Sequence, residues 1–163
     1  MILETPRLYL RHFKEEDAYR LSEYRDKREV SRYQTWYRYS VNDAKRRIAY
    51  CIANPNIKKN CNYQFAIVLK ENNLLIGDLF VETNKSKSFT LGYTLDSEYW
   101  NNGYMSEMVS AFLEYMKHEH DYGKALCYVY KDNNRSIRLL KKLGFEKFSE
   151  SYFYGDEGYV KIL

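Results

Sequence analysis

The feature that most constrains the fold is a polar turn at residues 100–107, which joins a strand-like segment to a strongly amphipathic helical segment. Its one glycine, Gly103, lets the backbone approach a ligand without a Cβ atom in the way. The first N–H groups of a helix have no intrahelical partner, and the helix dipole presents its positive end there. An anion satisfies both, so the turn predicts a phosphate-binding site at the start of a helix.

The segment after the turn carries apolar residues at helical spacing, with polar side chains on the opposite side. The apolar residues are Met105, Met108, Val109, Phe112, Leu113 and Met116. A stripe of this kind is typical of a helix that packs on the core. We therefore interpret it as structural and not as part of a cofactor site.

Strand patterns and helix patterns alternate along the rest of the chain. Apolar runs predict strands at 7–13, 63–69, 74–81, 88–95, 125–130, 145–154 and 158–163. Helices are predicted with the acidic residues 15–17 in the first turn, from a cap at Ser40 or Asn42 to about residue 54, and over 134–143, with Gly144 as a left-handed stop. No repeat or linker divides the sequence, so we expect a single α+β domain over residues 1–163.

Composition narrows the class of protein. With 163 residues, of which 45% are hydrophobic, the chain can bury one core. The formal net charge of +4 suits an acidic or phosphorylated ligand, but Lys and Arg are dispersed, which argues against a dedicated nucleic-acid surface. No apolar run approaches the ~20 residues that span a bilayer, and the N-terminus lacks the pattern of a secretory signal, so we expect no membrane association.

The cysteines and histidines predict neither a disulfide framework nor a metal site. Cys51, Cys61 and Cys127 form no paired framework, which favours a reducing compartment such as the cytoplasm. His118 and His120 are two residues apart, and on a helix such side chains diverge too far to share a metal ion. We therefore predict no metal site.

Four motifs, in order along the chain, resemble the GNAT superfamily of acetyl-CoA-dependent N-acetyltransferases. They are LGYTL at 91–95, YWNNGYMSE at 99–107, NNRS at 133–136 and KLGF at 142–145. The opening ETPRLYLR at 4–11 is similar to the first strand of the branch that includes the ribosomal-protein N-terminal acetyltransferases. The resemblance covers essentially the whole chain and implies that family's fold, a mixed, mostly antiparallel sheet flanked by about four helices.

The resemblance also implies where acetyl-CoA binds. The sheet is expected to splay between the strand that ends at Leu95 and the strand that ends near Tyr130, and the pantetheine arm can pair with the backbone groups left free there. The turn is expected to bind the pyrophosphate, while Arg135, Arg138 or Lys142 meets the adenosine phosphate or is a solvated surface charge. The implied cofactor-binding residues are Leu95, Asn101, Asn102, Gly103, Tyr104, Met105, Ser106, Asn133 and Ser136.

Acetyl transfer to an amine also needs a proton donor for the leaving thiolate. Where many family members carry an acid tyrosine, this chain has Leu140. In the branch that the chain resembles, a serine three residues after the asparagine has this role, and Ser136 occupies that position. The alternative is that Ser136 only stabilises the first turn of its helix.

The amine must lose its charge before it attacks, so a base is expected among four carboxylates. Glu82, at the end of the strand before residues 88–95, is the first candidate, and Asp78 lies four residues earlier on the same strand face. Asp156 or Glu157, in the last hairpin, is the alternative. Each of the four is otherwise a solvated surface charge.

By resemblance, residues 32–39 line the acceptor side of the pocket. Tyr33 and Trp36 in this segment, together with Tyr93, are predicted to bind the substrate. The same interleaving of aromatic residues with arginines is also typical of binding to single-stranded RNA, which is the alternative for this segment.

Together these observations predict an enzyme that moves an acetyl group from acetyl-CoA to a primary amine by direct attack in a ternary complex. The acceptor is a protein N-terminus, a polyamine or other small amine, or an amino-acid-like molecule. The alternatives are a module that binds CoA without catalysis and an RNA-associated aromatic-basic module. The architecture is also compatible with a homodimer formed through a sheet edge or a helix.

Overall fold

A computed structural model of the protein describes residues 1–151 and 155–163. Within these residues the strands are β1 (Leu3–Glu4), β2 (Leu8–Arg11), β3 (Asn62–Leu69), β4 (Leu74–Thr83), β5 (Ser88–Leu95), β6 (Lys124–Tyr130), β7 (Glu146–Glu150) and β8 (Asp156–Ile162). The helices are α1 (Ala18–Asp26), α2 (Arg28–Ser31), α3 (Val41–Ala53), α4 (Tyr104–His120) and α5 (Asn134–Lys142), with short 3₁₀ turns at Glu15–Asp17 and Ser97–Tyr99. The mixed α/β class predicted from the sequence is confirmed.

The strands form one sheet in the order β1-β2-β3-β4-β5-β6-β8-β7. All neighbours are antiparallel except β5 and β6, which run parallel and are joined through α4. A parallel pair needs a long crossover connection, and the amphipathic segment after the turn provides it as a helix. The predicted mostly antiparallel sheet is therefore confirmed.

The parallel pair separates after its first residues. The β5–β6 register covers only Ser88–Thr90 against Lys124–Leu126, although β5 continues to Leu95 and β6 to Tyr130. On their outer sides both strands stay paired, β5 with β4 and β6 with β8. The sheet thus opens between the two strand ends, which is the predicted splay.

The core lies on both faces of the sheet. On one face, α4 buries its apolar stripe against the sheet; the buried residues there include Leu8, Phe65, Leu79, Leu91, Met108, Phe112 and Met116. On the other face, α1 and α3 bury Leu21, Ala44 and Ile48 against Ala66, Val68 and Leu75. The interpretation of the α4 stripe as core is confirmed.

Local signals set several element ends. The hydroxyl oxygen of Ser40 accepts a hydrogen bond from the backbone N–H of Asp43, and the Asp43 carboxylate accepts one from the N–H of Ser40, a capping box that starts α3. Gly144 has a φ of +80°, the left-handed stop predicted after α5.

Three details differ from the sequence prediction. Helix α2 was not predicted, because four residues carry too little periodic signal. Strand β6 buries Ala125 and Cys127 on one face only, while Tyr128 on the other face is 52% exposed. Asp156 and Glu157 were predicted in a turn, but they belong to β8 because they pair with Tyr130 and Val129 of β6.

The strand predicted at 145–154 ends at Glu150, and its last three positions lie outside the described residues. In the described part of the chain, no helix has the length and apolar character needed to cross a membrane. The same residues contain no cluster of three or more His, Cys, Asp or Glu side chains that could hold a metal ion.

Candidate active site

The predicted anion site is the start of α4. Gly103 is the residue before the helix and has a φ of +78°, and Asn101 is also left-handed, with a φ of +64°. Within residues 1–151 and 155–163, the backbone N–H groups from Asn101 to Ser106 have no backbone acceptor. Unpaired N–H groups in a row, at the positive end of a 17-residue helix, are suited to bind an anion.

This turn is held in place by a contact that sequence reasoning missed. The carboxylate of Glu107, in the first turn of α4, accepts hydrogen bonds from the hydroxyl of Thr5 (2.6 Å), the backbone N–H of Arg7 (2.9 Å) and Arg7 Nε (2.7 Å). Arg7 Nη1 also donates to the carbonyl oxygen of Asn102 at 2.9 Å, and its guanidinium lies 4.4 Å from the centroid of the Tyr104 ring. Contacts between residues about 100 positions apart leave no local signal in the sequence.

The Glu107 carboxylate therefore does not oppose an anion at the turn. Burial on its own would raise its pKa, but the hydrogen bonds from Thr5 and Arg7 outweigh burial, and the pKa of Glu107 is lowered. The negative charge is present at neutral pH and is paired with the Arg7 guanidinium.

A cavity of about 240 Å³ extends from the turn past the end of β5 to the first turns of α5. Of the residues predicted to bind the cofactor, those that line it are Leu95, Asn101, Gly103, Tyr104, Met105, Ser106, Asn133 and Ser136. The structure thus brings nearly all of the predicted residues together. The exception is Asn102, whose side-chain amide donates to the carbonyl oxygen of Trp100 at 2.9 Å and stabilises the turn from within.

Cations lie at the same cavity. Arg135 and Lys142 line it, whereas Arg138 does not. The guanidinium of Arg135 is 3.5 Å from the centroid of the Trp100 ring, and burial together with the neighbouring Arg138 charge lowers the pKa of Arg135. Uncompensated cations beside free N–H groups favour a negatively charged ligand.

The wall of this cavity holds a pair of hydroxyl groups. Tyr93 Oη, from β5, lies 2.6 Å from Ser136 Oγ, from the first turn of α5, and either group can donate. Asn133 caps α5 by accepting a hydrogen bond from the N–H of Ser136 at 3.2 Å, which fixes the position of the serine. Burial, with a smaller contribution from Cys127, raises the pKa of Tyr93, so its phenol stays protonated at physiological pH.

Leu140, which stands where many family members carry an acid tyrosine, is fully buried. A phenol is present, but Tyr93 supplies it from a strand and not from α5. We expected Tyr93 to contact the substrate, and the sequence contained no signal that it would meet Ser136.

A second cavity, of about 740 Å³, lies on the side of the opening that faces α1–α3. Its walls include Trp36, Tyr39, Arg47, Phe80, Tyr130 and Asp156. The two cavities share Tyr33, Gln34, Tyr93 and Thr94, so they meet at the mouth of the opening. Two molecules that enter from opposite sides can therefore come into contact there.

The aromatic segment 32–39 folds inward at this second cavity. The indole N–H of Trp36 donates to the carbonyl oxygen of Arg25 at 3.0 Å, and the guanidinium of Arg25 lies 4.2 Å from the Trp36 ring and 4.9 Å from the Tyr39 ring. These rings hold an internal arginine, whereas Tyr37 is 79% exposed. Tyr33 and Trp36 thus lie in the wall where the resemblance placed the acceptor.

The four candidate bases fall in different environments. Asp78 is fully buried and accepts hydrogen bonds from Arg25 (2.6 and 3.1 Å), Tyr24 and Gln64 (2.7 Å), so it serves a structural ion pair. Glu82 is exposed and pairs with Thr90, where β5 and β6 are still together, and it lines neither cavity. The structure does not bring this first candidate to the site, because the strand carries it away from the opening.

The two carboxylates of β8 also differ. Glu157 accepts hydrogen bonds from Lys147 (2.6 Å) and from the hydroxyl of Tyr159 (2.7 Å), and these contacts lower its pKa. Asp156 lines the second cavity, and its Oδ1 is buried without a hydrogen-bond partner among the described residues. Of the four, Asp156 is the carboxylate with unused acceptor capacity at the opening.

Comparison with known proteins gives consistent matches. The sequence profile of the acetyltransferase (GNAT) domain matches residues 7–146. The chain is 28% identical to the uncharacterized N-acetyltransferase YnaD of Bacillus subtilis, over all of this chain and 97% of YnaD.

Solved structures show the same fold. An acetyltransferase (GNAT family) from Bacillus anthracis superposes with a TM-score of 0.83 at 22% identity, covering 99% of this chain and 98% of that one. The ribosomal L7/L12 alpha-N-protein acetyltransferase RimL, in complex with coenzyme A, superposes with a TM-score of 0.84 at 19% identity, covering 99% and 97%.

Proposed function

The chain belongs to the acetyltransferase (GNAT) family and is an acetyl-CoA-dependent acyltransferase, and from this premise we propose that it acetylates a primary amine by direct attack in a ternary complex. The observation that carries this proposal is the meeting of two cavities at one mouth, one beside the free N–H groups of α4 and one beside Asp156. Two adjoining cavities would allow both substrates to be bound at once, as direct transfer requires.

The residues at the cofactor side fit acetyl-CoA. The N–H groups from Asn101 to Ser106 would hold the pyrophosphate, and backbone groups near Leu95 would pair with the pantetheine arm. Arg135 and Lys142 are the cations that would face its remaining phosphate. When bound, acetyl-CoA supplies the activated thioester, and the protein supplies orientation and proton transfer.

We propose that Asp156 accepts the proton of the amine, directly or through water, in place of Glu82. Support comes from the unpartnered Oδ1 of Asp156 in the cavity wall and from its register opposite Tyr130, at the open end of β6. We further propose that Ser136 donates a proton to the leaving thiolate and that Tyr93 holds and replenishes this proton.

The acceptor is a protein N-terminus, a polyamine or other small amine, or an amino-acid-like molecule. RimL acts on the alpha-amino group of a ribosomal protein, which makes a protein N-terminus one candidate for this chain as well. Trp36 and Tyr33 would form apolar walls around the acceptor. We place the reaction in the cytoplasm, which is supported by the absence of disulfides among Cys51, Cys61 and Cys127.

Release of free CoA thiol, measured with a panel of amines from these three classes, tests the proposal. We expect at least one class to accelerate thiol release and to yield an acetylated product by mass spectrometry. The same assay on Asp156→Asn should show a loss of kcat of about 100-fold, in the range found for general bases. Glu82→Gln, which removes a carboxylate outside both cavities, should leave kcat near that of the unmodified protein.

Two outcomes would contradict this proposal. If acetyl-CoA binds but no amine accelerates thiol release, the chain is a CoA-binding module. If Glu82→Gln loses activity and Asp156→Asn does not, the base is misassigned. Salt-sensitive binding of single-stranded RNA would instead support the RNA-associated alternative.

A further inference from the structure

The wall of the second cavity contains a cation, Arg47, that has no anionic partner in the described part of the chain. Arg47, on α3, donates from Nε to Gln64 Oε1 at 2.7 Å and from Nη1 to Asn62 Oδ1 at 2.9 Å. Both acceptors are neutral amides. Arg47 Nη2 is buried and has no hydrogen-bond partner among the described residues, and the same residues provide no carboxylate within 4.0 Å of the guanidinium.

The carboxylate of Asp78, which is linked to Arg47 through Gln64, is already paired with another cation. Asp78 is joined to Arg47 only through Gln64, whose amide N–H donates to Asp78 Oδ1 at 2.7 Å. The charge of Asp78 is balanced by Arg25, which is buried beside it. Asp78 therefore leaves the positive charge of Arg47 without a counter-charge.

The structure holds this charge in a fixed position. Gln64 is 4% exposed, and its orientation is set by hydrogen bonds to Arg47 on one side and Asp78 on the other. The guanidinium also lies against two rings, 5.6 Å from the centroid of Phe80 and 5.2 Å from that of Tyr50. A buried N–H without an acceptor is costly, so a pre-oriented one in a cavity wall indicates a site for a ligand oxygen.

The sheet register gives the spacing along β5 between the part of the cavity next to Arg47 and the end shared with the first cavity. Phe80, against which the guanidinium lies, pairs with Gly92 of β5. Thr94, at the mouth where the cavities meet, is two residues further along β5 on the same face, which corresponds to about 7 Å. A spacing of about 7 Å is also about the length of two extended residues of a peptide ligand.

We propose that Arg47 binds a carboxylate of the acceptor, so that the preferred acceptor is an amine with a carboxylate about two residue lengths from its nitrogen. This inference rests on the proposed function and narrows its acceptor class. Asp156, whose free Oδ1 lies in the same cavity wall, provides the matching negative group for the ammonium end. A polyamine, which carries only positive charge, lacks the group that Arg47 would bind.

The carboxylate can come from a free dipeptide or from an acidic side chain next to a protein N-terminus, and two substrate pairs distinguish these sources. The first pair is alanyl-alanine and its C-terminal amide. The second is an Ala-Glu-Ala peptide amide and its Ala-Gln-Ala counterpart. We expect the acid of at least one pair to be favoured over its amide by about tenfold or more in kcat/KM, because a site built for a polar group rejects the analogue that lacks it.

Arg47→Gln should abolish that preference, chiefly by raising KM for the acid. Arg46→Gln is the matched control, since Arg46 is the neighbouring arginine on α3, is 75% exposed and is paired with Asp43. Asn62→Asp tests the same idea without removing Arg47, because it places a counter-charge on the atom that accepts from Nη1. It should also abolish the preference.

The outcomes separate this inference from the proposed function. If no amine of any kind is acetylated, the proposed function fails. If the amides are acetylated as well as the acids, or if Arg47→Gln keeps the preference for the acid, transfer occurs but the role of Arg47 is overturned. Thermal unfolding of each variant checks that it is folded. If Arg47→Gln does not fold, Asn62→Asp tests whether the preference for the acid depends on the charge of Arg47.

Discussion

At the scale of single residues, two hydroxyl groups from separate elements meet in the cofactor cavity. Tyr93 comes from β5 and Ser136 from α5, 43 positions later, and their oxygens lie 2.6 Å apart. The raised pKa of Tyr93 keeps its proton in place over the physiological range. A protonated phenol behind a serine can restore the proton that the serine gives away, which is the relay that we propose for this pair.

Tyr93→Phe removes the phenol hydroxyl but keeps the ring. We expect kcat to fall by about tenfold to 100-fold with KM for acetyl-CoA changed less than about twofold, because the relay acts on the leaving group and not on binding. Steady-state kinetics measure this split. Tyr115→Phe is the control, since its hydroxyl also has a partner, His120 at 3.0 Å, but lies on α4 outside both cavities.

In Ser136→Ala, kcat should fall further than in Tyr93→Phe, and the double variant should be no worse than Ser136→Ala alone, as expected for residues that act as a unit. An unchanged kcat in Tyr93→Phe, or a loss that appears only in KM, would contradict the relay.

At the scale of elements, the turn at residues 101–106, our proposed phosphate site, depends on the attachment of α4 to the segment between β1 and β2. Glu107 of α4 pairs with Thr5 and Arg7, on the segment between β1 and β2, and Arg7 reaches on to the backbone of Asn102. The turn has left-handed backbone at Asn101 and Gly103, which costs energy for a residue with a Cβ. Anchoring by Thr5 and Arg7, which are distant in sequence, keeps this conformation in place without a ligand.

Glu107→Gln tests this attachment through its pH dependence. The folded pKa of Glu107 is lowered from its ordinary value of 4.5, so its contribution to stability is present above about pH 4.5 and is lost as pH falls through the lower folded pKa. At pH 7 we expect the variant to lose about 1 kcal/mol of unfolding free energy, the low end for a charged hydrogen bond at a partly exposed site.

Urea unfolding at several pH values between 7 and 3 measures the difference between the two proteins. The difference should shrink as the pH falls. Glu114→Gln, on an exposed position of the same helix, is the control and should show a smaller loss at pH 7. A loss from Glu107→Gln that is the same at pH 7 and pH 3 would mean that the carboxylate charge has no part in the attachment.

At the scale of the whole molecule, the sheet is open in one place, where β5 and β6 diverge. Helix α4 supports one face, and α1 and α3 support the other, so each half of the sheet keeps its own packing beyond the point of divergence. The outer pairings of β4 with β5 and of β6 with β8 hold the two sides of the opening. The gap between the two strand ends is thus bordered by paired strands on both sides, and the second cavity lies at it.

CoA binding should change the amide hydrogen exchange around this gap. We expect protection to rise in β5 after Thr90, in β6 after Leu126 and at the turn from Asn101 to Ser106, because the ligand supplies the missing hydrogen-bond partners. Amides of the β3–β4 hairpin, which are paired in the free protein, should not change. Protection confined to the turn would show that the strands do not pair with the ligand.

Much of the architecture followed from patterns within a few residues of each other. The apolar stripe of α4, the cap at Ser40 and the left-handed stop at Gly144 are local signals, since helix periodicity and capping involve neighbours in sequence. The turn around Gly103 was also predictable, because its chemistry lies in its own backbone. These signals determined the fold class and the position of the turn that we propose as the phosphate site.

The tertiary structure alone decided which side chains share the site. It separated Glu82 from the opening, because strand register carries that residue to the closed end of the sheet. It also joined Tyr93 to Ser136, Arg7 to Glu107 and Arg47 to Gln64, contacts that no spacing rule contains. Sequence patterns report on each element's own faces, whereas catalytic and recognition groups are selected by how separate elements pack, and that selection exists only in the folded chain.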